Sequence, residues 1–572
     1  DVASILNQVA DLLEIEGADS FRVRAYRNAA STVASLPSSV AEKVEQDQDL
    51  TELEGIGESI AQKINEIVRT GELEQLEEIA ERTPPELAKM LDVSGLGPKR
   101  VHRIYQKLDV TDLDQLERAA AEHEIQELEG LGEKTEQRIL DDLESARERQ
   151  ARTPLNVARQ LAEPLVSYLR EIKGVAHVQV AGSYRRWKET VGDLDILVTG
   201  PGLSQREKGE RVIERFVEYE DVVQVVSQGE TKSTVLLGHG LQVDLRVVAE
   251  ESYGAALLYF TGSKAHNIEL RSMAIDRDLK INEYGVFRGE ERIAGEREQG
   301  IYGLFDLPYI VPELREHCGE LEAAREGQLP QLVTLEDLRG DLQTHTQASD
   351  GHNTLREMAQ AAKDRGHEYI AITDHSSRVG VTQGLDADAL AQRIDEIDEL
   401  DQGLEGIRVL KGIEVDILED GSLDMPDDLL GKLDIVIFAV HVAFDLSREK
   451  QTERIIRAMD NPHVQILAHP TGRMLGKRDP NELDMERVME AAIERGCYLE
   501  VNAYPSRLDL NDVYCRMAKE MGLKLAISTD AHRTSELGYL RYGVGQARRG
   551  WLAAEDVINA RSWEDLKALL KR

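Results

Sequence analysis

The chain has 572 residues, 41% hydrophobic and 31% charged, a globular balance over too great a length for one core, so three to five domains are expected. No apolar run of about 18 residues occurs, which argues against a membrane-spanning helix, and three widely spaced cysteines (Cys318, Cys497, Cys515) suggest a reducing, cytoplasmic setting without disulfides. The net charge of −38 argues, by itself, against nucleic acid as partner. It equally suits a halophilic source, where excess Asp and Glu maintain solubility and salt screens charges within roughly 3 Å at 1 M, so it does not veto DNA binding.

The first segment, DVASILNQVADLLEIEG, has the pattern of an amphipathic helix rather than a signal peptide. Arg22, Arg24 and Arg27 then form a basic cluster interleaved with Phe21 and Tyr26. Two readings coexist: a phosphate contact, or core aromatics with snorkelling arginines. Three repeats follow: ELEGIGESIAQKI from Glu52, DVSGLGPKRVHRI from Asp92 and ELEGLGEKTEQRI from Glu127. Each sets an apolar residue between two glycines (Gly55/Gly57, Gly95/Gly97, Gly130/Gly132) ahead of a helical pattern. Glycines permit a tight turn, and the helix that follows offers unpaired N–H groups to phosphate. The alternative is three ordinary helical hairpins with glycine caps. Three copies resemble the helix-hairpin-helix element, which implies sequence-independent grip on the DNA backbone.

The stretch VQVAGSYRRWKETVGDLDILVTG, residues 178–200, carries a second chemistry. Strand alternation puts Asp193 and Asp195 on one face, and a later strand, LQVDLRVV, supplies Asp244. Three converging carboxylates repel one another unless divalent cations lie between them, and a pair of Mg²⁺ ions is a common answer in phosphoryl transfer. The Gly182-Ser183 turn offers N–H and hydroxyl groups to a triphosphate, with Arg186 nearby. Together with GAALLYFTGSKAHNIELR at 254–271, this resembles family X DNA polymerases, the group of DNA polymerase beta. The resemblance covers residues 1 to about 315. It implies that Asp193 and Asp195 bind both metals, and that Asp244 binds one and helps activate the primer 3′-hydroxyl. It further implies that Ser183, Arg186 and Gly192 line the triphosphate, and that Tyr259, Phe260 and Gly262 lie along the sugar. Asn267 would approach the incoming base and Arg271 the template. Ordinary core packing is the alternative for Tyr259 and Phe260. Lys63 matches the family's Schiff-base lysine, but Glu58, Gln62 and Glu66 flank it and Ser59 replaces a family lysine, so a solvated helix lysine is the competing reading.

Beyond a linker, histidines and acids end a series of apolar runs: DLQTHTQASDG, IAITDHS, LKGIEVDI, IVIFAVH, VQILAHP and LAISTDAH. Buried parallel strands alternating with helices, polar residues at their C-terminal ends, predict an α/β barrel. His345, Asp350, His375, Glu414, His441, His469, Asp530 and His532 all fall at such ends, and imidazole with carboxylate suits Zn²⁺, Mn²⁺ or Fe²⁺ better than Mg²⁺. The segment resembles the PHP domain, the polymerase and histidinol phosphatase family, which implies a trinuclear centre, Mn²⁺ or Zn²⁺ with up to three ions, that activates water for phosphoester hydrolysis. The eight residues fall on its ligand positions. Asp374 and Arg473 would support ligands, and Asn502 and Arg507 would contact phosphate. Gln343 stands where the common pattern has histidine.

The expected fold is multidomain: helical helix-hairpin-helix domains, an α+β nucleotidyltransferase palm, and a C-terminal α/β barrel of distorted TIM type. The expected divisions are a lyase-like domain at 1–85, fingers at 86–150, palm at 151–250, nucleotide-binding subdomain at 251–315, linker at 316–335 and PHP domain at 336–572. The expected activity is gap-filling DNA synthesis in base excision repair with metal-dependent 3′-end trimming, acting as a monomer on gapped or primer-template DNA and deoxynucleoside triphosphates. The alternatives are a template-independent nucleotidyltransferase, a PHP domain that is only structural, and a non-catalytic repair scaffold.

Overall fold

In the computed structural model, the described residues are 2–35, 40–45, 48–53, 55–71, 73–80, 82–93, 96–128, 131–132, 135–137, 139, 152–203, 206–377 and 384–571. They fall into two compact units, residues 1–151 and 152–572. Among them, no helix is long and apolar enough to cross a membrane.

The first unit is helical. Helices Val2–Glu16, Ser20–Ser35, Glu58–Thr70 and Pro98–Leu108 bury one apolar side each, and Leu6, Leu12, Ile64 and Ile104 are fully buried in one shared core. The aromatic pair near the arginines splits: Tyr26 is core, whereas Phe21 is 75% exposed with the Arg24 guanidinium 4.7 Å above its ring. Arg27 pairs with Asp11 and Glu14, which removes it from the phosphate cluster.

The second unit opens with a five-stranded sheet in the order 177–180, 193–199, 242–247, 232–237, 222–228. Strands Asp193–Thr199 and Gln242–Val247 run parallel; the other pairs are antiparallel. A helical segment and a small antiparallel sheet follow, strands Lys280–Asn282, Gly285–Arg288 and Glu291–Ala294. Its core is pinned by buried ion pairs of Glu298 with Arg185 and Arg315 and by a buried hydrogen bond between His266 Nδ1 and Glu320 Oε1, burial pushing the His266 imidazole down from its ordinary value.

Residues from 340 onward form seven parallel strands in sequence order: Gly340–Asp341, Tyr369–Ile372, Arg408–Asp416, Ile435–Ala439, Ile466–Leu467, Tyr498–Asn502 and Leu525–Ser528. A parallel bridge between Thr344 and Ala531 brings the last strand end back beside the first, so the barrel is nearly closed. Near-continuous burial along these strands reflects helices outside and packed side chains within. This is the expected α/β barrel, with seven strands.

Candidate active sites

Among the described residues, the three Gly-x-Gly repeats share a pattern from their apolar middle residue onward. The apolar middle residue is buried each time (Ile56, Leu96, Leu131), and its N–H closes a turn on Leu53, Val93 or Leu128. Gly57, Gly97 and Gly132 are exposed, and the carbonyl of each accepts the first helical bond, from Ile60, Arg100 and Thr135. Gly57 and Gly97 cap helices Glu58–Thr70 and Pro98–Leu108 with extended backbone. Gly55 takes φ +77°, a conformation that favours glycine. Gly95 and Gly130 lie outside the described residues. Buried apolar knobs thus fix two helix starts with their N–H groups toward solvent, ready for phosphate. Lys63 is half-exposed, and its Nζ donates to the Ser59 hydroxyl at 3.0 Å; nothing here supplies the burial a Schiff-base amine uses.

The sheet site assembles as alternation predicts. Asp193 and Asp195 lie on one strand face, and Asp195 stands directly opposite Asp244 in the parallel pair. The Thr234 hydroxyl donates to Asp244. Burial raises the Asp195 carboxyl to about 7, helped by the charges of Asp193 and Asp244. Asp193 is raised by burial and then by Asp244. Carboxylates that hold protons against their ordinary range are a donor set lacking positive charge, which is the environment a divalent cation fits. Gly182 adopts φ +62°, and a Cβ there would lie 3.1 Å from Asp195 Oδ2, so the turn needs glycine to approach the acids.

A cavity of about 580 Å³ opens on this site, lined by Gly182, Ser183, Arg186, Gly192, Asp193, Asp195 and Phe260. Asp244, Tyr259, Gly262, Asn267 and Arg271 are not in its wall. Asn267 instead ties the turn together, donating to the Tyr259 carbonyl at 2.7 Å and that of Gly262 at 3.2 Å. Arg271 stacks 5.1 Å from the Tyr259 ring, and Arg246 lies 4.4 Å over Phe260. Sequence reasoning missed Arg152, Lys188, Asp512, Gln546 and Arg549, which line the same cavity. The last three come from the barrel, and no local pattern marks them.

In this site a bound cation must displace a proton. Mg²⁺ affinity is therefore expected to climb as pH rises from about 6 to 8, with proton release on binding at the lower pH. In the metal-free protein the same raised carboxyl contributes stability that is complete below its ordinary value of 3.8 and is lost as pH rises through about 7. Calorimetric Mg²⁺ titration in two buffers of different ionisation enthalpy reads the released proton; equal affinity at both ends of the range would contradict the coupling.

At the barrel's C-terminal end the histidines and acids converge. His345, Asp350, His375 and His532 offer ligand atoms within 4.8 Å of one another, as do His375, Glu414 and His441, and His345, Glu414 and Asp530. Glu414 is the hub: its Oε2 lies 3.4 Å from His345 Nε2 and His375 Nδ1, and its Oε1 lies 3.3 Å from His441 Nε2 and 3.1 Å from His469 Nε2. His345 Nε2 also lies 3.1 Å from Asp530 Oδ1, and neither ring nitrogen of His345 is in hydrogen-bond geometry with these acids. His469 (φ +28°) and Asp530 (φ +56°) sit in left-handed backbone, a strain that surrounding structure must hold in place.

Burial pushes His375 down to about 4. Burial would lower His441 and His532 too, but Asp416 and Glu414 raise His441 to about 10, and Asp350 and Asp530 raise His532 to about 9. Burial would raise Glu414, yet His375, His441 and His469 hold it well below its usual range. Protons collect on the imidazoles nearest the acids, where cations would otherwise balance the charge. With orphaned ligand atoms beside them, these residues fit divalent metals.

The supporting groups divide. Asp374 accepts from Thr346 N at 2.7 Å and Ser349 Oγ at 3.0 Å and so shapes the His345–Asp350 loop. Asn502 donates to Asp530 Oδ2 at 3.0 Å. Arg507 Nε lies 3.5 Å from the same oxygen, and its Nη1 is buried without a partner. Arg473, by contrast, pairs with Glu189 and the Leu508 carbonyl rather than supporting a ligand. Asp416, which accepts from His441 Nδ1 at 2.7 Å, was missed, although its place two residues after Glu414 on one strand marks it. Gln343 Nε2 donates to Glu414 Oε2 at 3.0 Å, and its Oε1 is buried without a partner.

Against known families, the chain matches the helix-hairpin-helix domain over residues 1–73 and the SAM-like helix-hairpin-helix tandem over 86–145. It matches the DNA polymerase beta palm over 152–235, the DNA polymerase beta thumb over 256–316 and the PHP domain over 341–503. It is 37% identical over 578 residues to the DNA polymerase/3′-5′ exonuclease PolX of Bacillus subtilis (strain 168), spanning 100% of this chain and 99% of that protein. A probable phosphatase of Thermoanaerobacter sp. (strain X514) is 33% identical over 231 residues, 38% of this chain and 89% of that protein. Another, from Caldanaerobacter subterraneus subsp. tengcongensis, is 34% identical over 210 residues, 35% of this chain and 78% of that protein.

Proposed function

The chain belongs to the PolX family of DNA polymerases with a 3′-5′ exonuclease, and from that premise we propose that it fills short gaps in DNA during base excision repair and trims 3′ ends in its PHP barrel. The observation that carries the reading is the cavity in which Asp193 and Asp195 face Ser183, Arg186 and Lys188: acids for metals beside hydroxyl and cationic groups for a triphosphate. Asp193, Asp195 and Asp244 would hold Mg²⁺, which supplies charge neutralisation between the attacking and leaving oxygens. Ser183, the Gly182 turn, Arg186 and Gly192 hold the triphosphate, and Asp244 receives the primer end. Phe260 faces the cavity, and Tyr259, Phe260 and Gly262 would lie along the sugar, with Asn267 approaching the incoming base and Arg271 the template, in a turn that Asn267 ties to Tyr259 and Gly262. Gly55, Gly57, Gly95, Gly97, Gly130 and Gly132 belong to the repeats that would grip DNA backbone.

In the barrel, His345, Asp350, His375, Glu414, His441, His469, Asp530 and His532 would hold Mn²⁺ or Zn²⁺, up to three ions, whose charge activates water and neutralises the phosphodiester. The unpartnered Arg507 Nη1 is positioned to contact phosphate. Primer extension on gapped DNA, with Mg²⁺ or Mn²⁺ at low and molar salt, tests the reading. Template-dependent insertion of deoxynucleotides supports it; untemplated addition of nucleotides to RNA would replace it with the tailing alternative.

Gln343 presents a neutral carbonyl oxygen where imidazole would be the better donor for borderline-soft ions. Gln343→His is expected to tighten Mn²⁺ binding by about tenfold, the scale on which groups around a metal tune affinity. Metal content after dialysis at fixed free Mn²⁺ measures this; an unchanged content would place residue 343 outside the ligand set.

A further inference from the structure

A line of alternating charge crosses from the palm into the barrel. Arg186 donates from Nε to Glu316 Oε1 at 2.8 Å and from Nη1 to the Thr261 carbonyl at 2.7 Å. The same Glu316 oxygen accepts from Arg549 Nη1 at 2.8 Å, and Lys188 Nζ lies 3.6 Å from it. Arg549 also donates to the Arg186 carbonyl at 2.9 Å and through Nη2 to Asp512. Arg549 ends the barrel helix Leu540–Arg549, and Asp512 begins the barrel helix Asp512–Met521. Both face the cavity that holds Ser183, Asp193 and Asp195.

The contact is tightly seated. Gln546 Nε2 donates to the Trp187 carbonyl at 3.3 Å, and a Cβ on Gly545 would lie 2.6 Å from Trp187 Cε3. Glycine at 545 is therefore what lets the barrel helix pack this closely against that indole.

Glu316 is one carboxylate shared by three cations. A triphosphate at Ser183 needs the charge of Arg186 and Lys188, and Glu316 opposes it. Arg549 supplies the balancing charge from the far side, in a buried setting where unscreened charges act strongly. We propose that Arg549 is a positioning residue of the polymerase: by engaging Glu316 it leaves Arg186 and Lys188 available to the incoming nucleotide, so the PHP barrel completes the nucleotide pocket. This rests on the polymerase reading given above.

The test is single-nucleotide insertion on gapped DNA by the full chain, with 3′ trimming of an oligonucleotide as the barrel's own control. Arg549→Met is expected to raise the KM for deoxynucleotide about tenfold with kcat within about twofold, as for loss of one buried charge-assisted bond. Arg549→Lys is expected to stay closer to the parent, and Glu316→Gln added to Arg549→Met is expected to return KM to within about twofold of it. An unchanged KM in Arg549→Met, or a raised KM that Glu316→Gln does not restore, overturns the proposal. Should Arg549→Met also lose trimming, the barrel has been damaged and Glu316→Gln alone decides: KM is expected to fall about threefold, and an unchanged or higher KM overturns the proposal. Failure of the parent chain to insert any nucleotide would refute the polymerase reading instead.

Discussion

Asp195→Ala is expected to abolish nucleotide addition while leaving 3′ trimming intact. Asp195 faces Asp244 across the parallel strand pair and shares a strand face with Asp193, so its loss breaks the shared acid set. A divalent ion contributes several kcal/mol to phosphoryl transfer, so a loss of about 10³-fold or more is expected. The same change removes a buried carboxyl whose proton is held against its ordinary range by burial and by Asp193 and Asp244. The metal-free variant is therefore expected to melt higher than the parent at neutral pH, since like-charge repulsion is relieved. Primer extension and trimming measured on one preparation, with melting in chelator, give all three readouts. A variant that kept synthesis, or lost trimming too, would contradict the assignment.

Glu414→Gln is expected to do the opposite: trimming falls by about 10³-fold or more while gap filling persists. Glu414 offers ligand atoms to two of the three clusters and touches four imidazoles. The amide matches its shape but lacks the charge that balances His441 and the metals. Asp416 remains to accept from His441, so the barrel is expected to stay folded. Loss of both activities in this variant would argue against two independent centres.

Much of this was legible in the sequence because strands carry a period of two and put their functional groups at their ends. That period placed Asp193 with Asp195, found Asp244, and read six polar run-ends as one barrel rim. The repeated Gly-x-Gly turns were legible because the same spacing of two glycines around one apolar residue recurs three times, and at Gly55 the backbone takes a φ of +77° that favours glycine. The same period marks Asp416, two residues after Glu414, but it was recognised only from its hydrogen bond with His441. What stayed hidden was long-range. Glu316, Asp512 and Arg549 are unremarkable charged residues in their own segments; only the packed fold brings Asp512 and Arg549 to the cavity wall and joins Arg549 to Arg186 through Glu316. Phe21 and Tyr26 part ways on one helix because only Tyr26 falls on its buried side. Arg473 sits near a ligand in sequence yet turns to Glu189.

The bridge between Thr344 and Ala531 has a consequence for biosynthesis. His345 follows the first barrel strand and His532 follows the last, and their rings stack with centroids 4.4 Å apart. A nascent chain leaving the ribosome carries all three palm aspartates long before its final strand exists. Contacts of such large sequence separation form late, so the proposed trimming centre would be completed only when translation of the barrel is finished. A chain interrupted before residue 530 would lack Asp530 and His532 of that proposed metal set.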